Sequence, residues 1–313
     1  MPKVSVIIPI FNVEKYIEKC ARSLFEQTLE DIEYVFVDDC SPDNSIAVLK
    51  RVIDDYPERK PCVRIIPHEE NKGQAITRRT GLDSATGEYI AFCDSDDWVD
   101  ASIYEKLVAK AAAENADIVF SDYWNVWPSA DEYITTIRTR KPVLGEVIAR
   151  NIPVSLCCRI FKRTLFHNEI VYPKCNMGED FALLVQLVYY ARKISYVQEG
   201  LYYYYQNPQS ITHVRSKEAV LAMFNGVIDN ANIIIDFLKS KGLESEYRDK
   251  AILLKHYSRS EILNMKMDRN VRKLWLGTFP EINFLIPFMR EIPVKERCKY
   301  IYKALFDGRI LAH

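Results

Sequence analysis

The first 120 residues alternate between short β-branched runs and stretches of helical periodicity, and this alternation limits the possible folds more than any other feature. VSVIIP, IEYVFV, CVRIIP, YIAFC and ADIVF read as strands. Between them run helical patterns through Ile17, Ala21, Leu24 and Phe25, from Asp43, near Ala75 to Ala85, and from Ala101. Strands joined by short helical crossovers predict an α/β fold with a mostly parallel, doubly wound sheet covered on both faces. In such a sheet, ligands bind outside the carboxyl ends of the strands. After Asp122 the pattern loosens into an alternating EYITTIRTR segment and then, past the loop CNMGED, a helical run FALLVQLVYYA. From about 216 onward the reading is nearly all helical. Three units are expected: an α/β half over 1–122, an appended lobe over 123–213 and a helical C-terminal region over 214–313.

Charge excludes some partners. The formal net charge is −1, which gives no global attraction for nucleic acid, but the distribution is uneven. Residues 241–313 carry fifteen Lys/Arg against nine Asp/Glu, net +6. The basic stretch VKERCKYIYKALFDGR within 293–313 reads either as ordinary helix packing or as an amphipathic helix on an anionic membrane, with Tyr300, Ile301, Leu305 and Phe306 as its apolar side. No apolar run reaches membrane-spanning length, and the run VSVIIPIF is too short and too broken by proline for a secretory signal. The eight cysteines show no CxxC spacing. They read as reduced thiols of a cytoplasmic protein, soluble or peripheral on the inner face of the membrane.

The strand ends hold the residues able to do chemistry. Pro9, Phe11 and Asn12 follow the first strand, Asp38 and Asp39 the second, Asn71, Gly73 and Arg78 the third, and the run DSDD from Asp94 the fourth. If that run continues the extended strand, Asp94 and Asp96 point the same way and Asp97 the opposite way. Two converging carboxylates repel by about 4 kcal/mol at an effective dielectric of 20, so they take up a proton or share a cation. Oxygen-only donors favour Mg²⁺ or Mn²⁺ completed by substrate phosphate. His213 reads as a third ligand or as an ordinary loop histidine. Asp100, before ASIYEKL, reads as an N-cap. Asp39 could accept the imide N–H of a uracil or close an Asx turn. Of Tyr202 to Tyr205, at least two are expected in the core and the others are available to stack on a sugar.

VSVIIPIFN, VFVDDCSPD, ENKGQAITRRTG, GEYIAFCDSDD and MGED, in that order, resemble the family 2 nucleotide-sugar glycosyltransferases with the GT-A fold, over roughly residues 1–213. The resemblance implies that Pro9, Phe11, Asn12 and Asp39 hold the nucleotide base, with Arg78 in the matching third block. It implies that Asp94, Ser95 and Asp96 hold ribose and a metal–diphosphate, and that Asp180 is the catalytic base with Glu179 on the acceptor side. The expected activity is hexosyl transfer with inversion from a nucleotide-diphosphate sugar, UDP as the nucleotide, to a glycan or lipid-linked glycan hydroxyl in polysaccharide or glycolipid assembly. Two blocks depart from the family pattern: TRR stands where ARN is common, placing Arg79 for asparagine, and Cys157 to Phe161 stands for WNKLY.

Three rivals compete. A phosphoacceptor signalling module wants its aspartate pair after the first strand and a lysine after the fifth, and neither is present. A nucleotidyltransferase making nucleotide sugars wants a glycine-rich basic loop after the first strand, where IFNVEKY has no glycine. A non-catalytic nucleotide-sugar-binding relative would have lost Asp96 or Asp180, and both stand.

Overall fold

The computed structural model of the chain describes residues 2–137, 143–207, 216–260, 262 and 269–305. Among the described residues, nine strands form one sheet: β1 Val4–Ile10, β2 Ile32–Asp38, β3 Val63–Pro67, β4 Tyr89–Phe92, β5 Trp98–Val99, β6 Ile118–Val126, β7 Asp131–Ile134, β8 Arg159–Lys162 and β9 Ile194–Tyr205. Their order is β3-β2-β1-β4-β8-β6-β9-β5, with β7 paired to β6. β3, β2, β1 and β4 are parallel neighbours, as the alternation predicts. β1 and β2 are buried along almost their whole length, which is why they read as continuous apolar runs. The fifth expected strand, β6, keeps that direction but lies one place further out. RIFK of β8 runs antiparallel between β4 and β6 and pairs the edge groups of both.

The helices of the first half are α1 Ile17–Phe25, α2 Ser45–Asp55, α3 Gln74–Ser84 and α4 Ile103–Glu114. In α1, Ile17, Cys20, Ala21, Leu24 and Phe25 form one buried face at helical spacing. α2 starts at Ser45, two residues later than the sequence suggests, because Ser41 and Asp43 are used elsewhere. Asn12 N–H donates to Ser41 Oγ (2.8 Å), Glu14 N–H to Asp43 Oδ2 (2.8 Å) and Val13 N–H to Ser45 Oγ (3.0 Å). SPDNS is therefore a clasp on the loop after β1 as much as a helix start. Asp100 accepts from the N–H and Oγ of Ser102 and so closes the turn that leads into α4, one step before the helix itself.

The second half adds α5 Val143–Ile148, α6 Glu179–Tyr190, α7 Lys217–Ser240, α8 Arg248–Ser260, α9 Arg269–Gly277 and α10 Val294–Leu305. α7 is long and apolar enough to cross a membrane by length and composition, yet its Ala231, Ile234, Phe237 and Leu238 join α6 in the same hydrophobic core as the sheet. A second core gathers Phe224, Ile252, Leu253, Trp275, Ile282, Ile286 and Tyr300 among the C-terminal helices. All eight cysteines are free thiols.

Candidate active site

The carboxyl ends of β1, β2 and β4, the start of α3 and the start of α6 converge on one region. The turns there, two after strands and one before α6, carry backbone strain. Asn12 (φ 56°), Cys40 (φ 58°) and Met177 (φ 70°) all sit in the left-handed region that costs a non-glycine residue about 1–3 kcal/mol. Such conformations persist only where surrounding contacts impose them.

The DSDD run is not extended. β4 ends at Phe92 and residues 94–97 form a turn closed by Asp97 N–H on the Asp94 carbonyl (3.1 Å), so the alternation expected of a pleat does not apply. Asp94 and Asp96 are nevertheless neighbours: burial, and then the charge of Asp94, raise the Asp96 carboxyl above its ordinary value. Asp96 accepts from Asn207 Nδ2 (3.1 Å). Asp97, which the sequence leaves without a role, is buried, taking Tyr202 OH (2.5 Å) on one oxygen and Tyr205 N–H (2.7 Å) on the other. It ties the turn to β9. Ser95 is buried beside it.

The positive charge between the carboxylates is Arg78. Extending from α3 and only 4% exposed, its guanidinium donates Nη2 to Asp94 Oδ1 (2.7 Å) and Nη1 to Asp180 Oδ1, with Glu179 Oε1 at 3.4 Å. Burial opposes the charge of Arg78, but Asp180 and Asp94 more than offset this and hold it protonated. Gln74 Nε2 also reaches Asp94 Oδ1 (3.2 Å). One arginine thus joins the turn after β4 to the first turn of α6, where negative charge is favoured by the helix dipole.

Asp180 takes Leu156 N–H on its second oxygen (3.1 Å). Burial raises its carboxyl above the ordinary value, although Arg78 pulls the other way. Glu179 is pushed up to about 7, by burial first and by Asp180 second. Both line an open pocket with Arg78, Arg79, Leu156 and Tyr172. In this wall the guanidinium of Arg79, the residue that departs from ARN, lies 3.6 Å from the centroid of the Tyr172 ring.

The loop carrying these acids is held from two sides. Met177 and Gly178 (φ 87°) turn the chain sharply into α6. Asn176 Oδ1 accepts from Ala75 N–H at the start of α3 (3.2 Å), and Asn230 of α7 donates Nδ2 to the carbonyls of Cys175 and Met177 (both 3.0 Å). Gly226 makes room for this contact, because a Cβ there would stand 2.3 Å from the Asn176 carbonyl oxygen.

The base-side residues are less closed. Phe11 is 45% exposed, Asn12 is exposed and Pro9 is half-buried. Asp39 is buried and accepts from His68 Nδ1 and from the N–H groups of Lys72 and Gly73, each at 2.8 Å. Burial raises its carboxyl, but these hydrogen bonds bring it below the ordinary value. Asp39 therefore anchors the loop before α3 in addition to any contact with a ligand. Of the tyrosine run, Tyr202 and Tyr204 pack on the core, while Tyr203 stacks on Trp98 (5.7 Å, 9°) and Tyr205 lies against Trp98 and Tyr16.

No group of three His, Cys, Asp or Glu side chains among the described residues could enclose a metal, and His213 lies outside them. Asp94 and Asp96 suit the sparser design in which one or two carboxylates hold Mg²⁺ or Mn²⁺ and substrate phosphate completes the shell. Asn207, Gln74, His68, Asn176 and Asn230 were not foreseen. Their signal is spatial, since each is an amide or imidazole brought from a separate element to a carboxylate, a loop carbonyl or, for Asn176, the N–H of Ala75 at the start of α3.

Comparison with known proteins agrees with this architecture. The sequence profile "Glycosyl transferase family 2" matches residues 5–172. The uncharacterized glycosyltransferase EpsJ of Bacillus subtilis (strain 168) is 31% identical over 232 residues, 70% of this chain and 66% of its own, and the glycosyltransferase GlyA of Streptococcus pneumoniae is 26% identical over 74% of this chain and 34% of its own. The chain thus spans just under two thirds of the one and about a third of the other. Among solved structures, TarS 1–349 of S. aureus in complex with UDP-GlcNAc superposes with TM-score 0.61 at 18% identity, covering 96% of this chain and 90% of that one. Mannosyltransferase PcManGT from Pyrobaculum calidifontis, in complex with GDP-Man and Mn²⁺, superposes with TM-score 0.56 at 16% identity, covering 97% and 86%. At these identities the likeness is one of fold, and together with the profile match over more than half its length it establishes that this chain belongs to glycosyl transferase family 2.

Proposed function

We propose that the chain is an inverting, metal-assisted glycosyltransferase, moving a hexosyl group from a UDP-sugar to a hydroxyl of a glycan or lipid-linked glycan on the cytoplasmic side of a membrane. The observation that carries this reading is the juxtaposition, through Arg78, of Asp94 on the donor-side turn with Asp180 at the head of α6. Arg78 fixes where both carboxylates point. Phe11, exposed after β1 beside Asn12 in sequence, offers a face for a nucleotide base, with Pro9 and the buried Asp39 at the adjoining strand ends. Asp94, Ser95 and Asp96 would hold ribose and the metal with its diphosphate, and a bound Mg²⁺ or Mn²⁺ would supply charge neutralisation for the departing diphosphate. Asp180 is the base in this reading: Arg78 and Leu156 N–H orient its two oxygens at the head of α6, and the guanidinium favours its charged form against the effect of burial. Glu179, pushed up to about 7, is protonated in a large share of molecules at neutral pH and is better suited to holding an acceptor hydroxyl than to removing its proton. One base acting across the sugar from its leaving group gives in-line displacement and inversion. His213 is kept as a candidate third ligand from the segment before α7.

UDP as the nucleotide is supported by the UDP-GlcNAc complex of TarS and challenged by the GDP-Man complex of PcManGT. Thermal stabilisation by a panel of UDP-, GDP- and dTDP-sugars, each with and without Mn²⁺, separates the two. UDP-sugars should raise the melting temperature most, and more with Mn²⁺. A rise confined to GDP-sugars would reassign the donor, and no rise with any of them would remove the reading.

A further inference from the structure

Six of the ten large hydrophobic side chains that stand exposed among the described residues lie between 274 and 302. Phe284 and Phe288 are 84% and 81% exposed, and Val294 is 64% exposed. Their position follows from the local helical turns. Pro280–Ile282 and Ile286–Phe288 are single 3₁₀ turns joined by a short turn. Ile282, Ile286 and Met289 point into the second core, while Phe284 and Phe288 stand outside it in solvent. Two phenylalanines this close in sequence and both left in water give up the burial that drives folding, which is unusual unless another apolar phase receives them.

The surroundings indicate which phase. Residues 269–303 hold eight Lys/Arg against three Asp/Glu, net +5. Lys273, Arg290, Lys295 and Lys299 are exposed and flank Leu274, Phe288 and Val294 in sequence. Glu281, one of the three acids, is paired with Lys255 at 2.6 Å. Apolar side chains flanked in sequence by more cations than acids, Glu291 and Glu296 being the other two acids and both exposed, have the composition of an interfacial membrane contact. A symmetric contact with a second copy would instead bring two surfaces of the same sign together.

We infer that this outer face, centred on Phe284, Phe288 and Val294, docks on an anionic lipid surface, with the two phenylalanines entering the headgroup boundary and the flanking cations meeting lipid phosphates. The contact shares Val294 and Lys295 with the helix expected at 293–313 but is centred on the turns before it. In α10, Tyr300 is buried and its hydroxyl is engaged with Arg259 and Asn283, so that part of the helix faces the second core, while Phe306 and the side chain of Leu305 lie outside the described residues. The inference is independent of sugar transfer.

The test is co-sedimentation of the full chain with vesicles of phosphatidylcholine alone and of phosphatidylcholine mixed with phosphatidylglycerol. Binding should require phosphatidylglycerol and weaken as salt is raised. The double variant Phe284→Ser/Phe288→Ser should bind about tenfold or more weakly with an unchanged melting temperature, since both side chains are exposed; Arg290→Glu/Lys295→Glu should remove the dependence on phosphatidylglycerol. Wild-type protein remaining in the supernatant, or binding undiminished in the phenylalanine variant, would overturn the inference. So would sedimentation equilibrium showing a dimer that the same variant converts to monomer.

Discussion

Asp180→Asn is expected to stop sugar transfer, with kcat lowered by about 10²–10⁴, while nucleotide binding survives. Asparagine keeps the shape of the side chain and can still accept Leu156 N–H, but it cannot take a proton from an acceptor hydroxyl. The accompanying stability result separates catalysis from scaffolding. Around Arg78 stand three carboxylates for one guanidinium, and burial already pushes Asp180 and Glu179 toward their neutral forms. Removing one negative charge should therefore leave the melting temperature unchanged or raise it, the pattern of a site whose charges serve activity at some cost in stability. Activity and stability lost together would mean that Asp180 is a structural ion-pair partner.

Arg78→Met is the opposite case. Its loss strands Asp94, Glu179 and Asp180 without their buried cation, and breaking a buried pair by removing one partner costs about 3–5 kcal/mol, a fall in melting temperature on the order of 10 °C. The deficit should depend on pH with a definite sign. Glu179 has a folded pKa of about 7, above its ordinary 4.5, so its contribution to stability is fully present below about 4.5 and is lost as pH rises through about 7. Without Arg78 the neighbouring carboxyls should titrate still higher. The variant should therefore lose most at pH 8 and recover part of its melting temperature at pH 5. A deficit of equal size at both values would mean that lost packing, and not unpaired charge, sets the cost.

Much of the fold was legible because it is written locally. The β-branched runs and helical spacings of residues 4–120 each describe one element, and short connections leave few ways to assemble them. β8 was not legible, because RIFK acquires its place only by pairing antiparallel with β4 and β6, and no pattern within four residues specifies that. The candidate site was readable as a set of residue types at strand ends. Its wiring was not: the turn at 94–97 replaces the extended backbone assumed for DSDD, so the partnering of Asp97 with Tyr202 and Tyr205 depends on β9, a hundred residues away in sequence. The cation that the paired aspartates require is, in this structure, supplied in part by Arg78. Likewise the loop of Glu179 and Asp180 is positioned by Asn230 and Gly226 of α7, a helix whose sequence announces only its apolar face.

The central claim is that the turn after β4 holds a metal-bridged nucleoside diphosphate opposite Asp180. Calorimetric titration of UDP into the wild-type chain and into Asp96→Ala, each with and without Mn²⁺, tests it most directly. Wild-type protein should bind UDP more tightly when Mn²⁺ is present, and Asp96→Ala should lose that increment while keeping the weaker metal-free binding. An increment of the same size in both proteins would place the metal elsewhere and contradict the assignment of this turn.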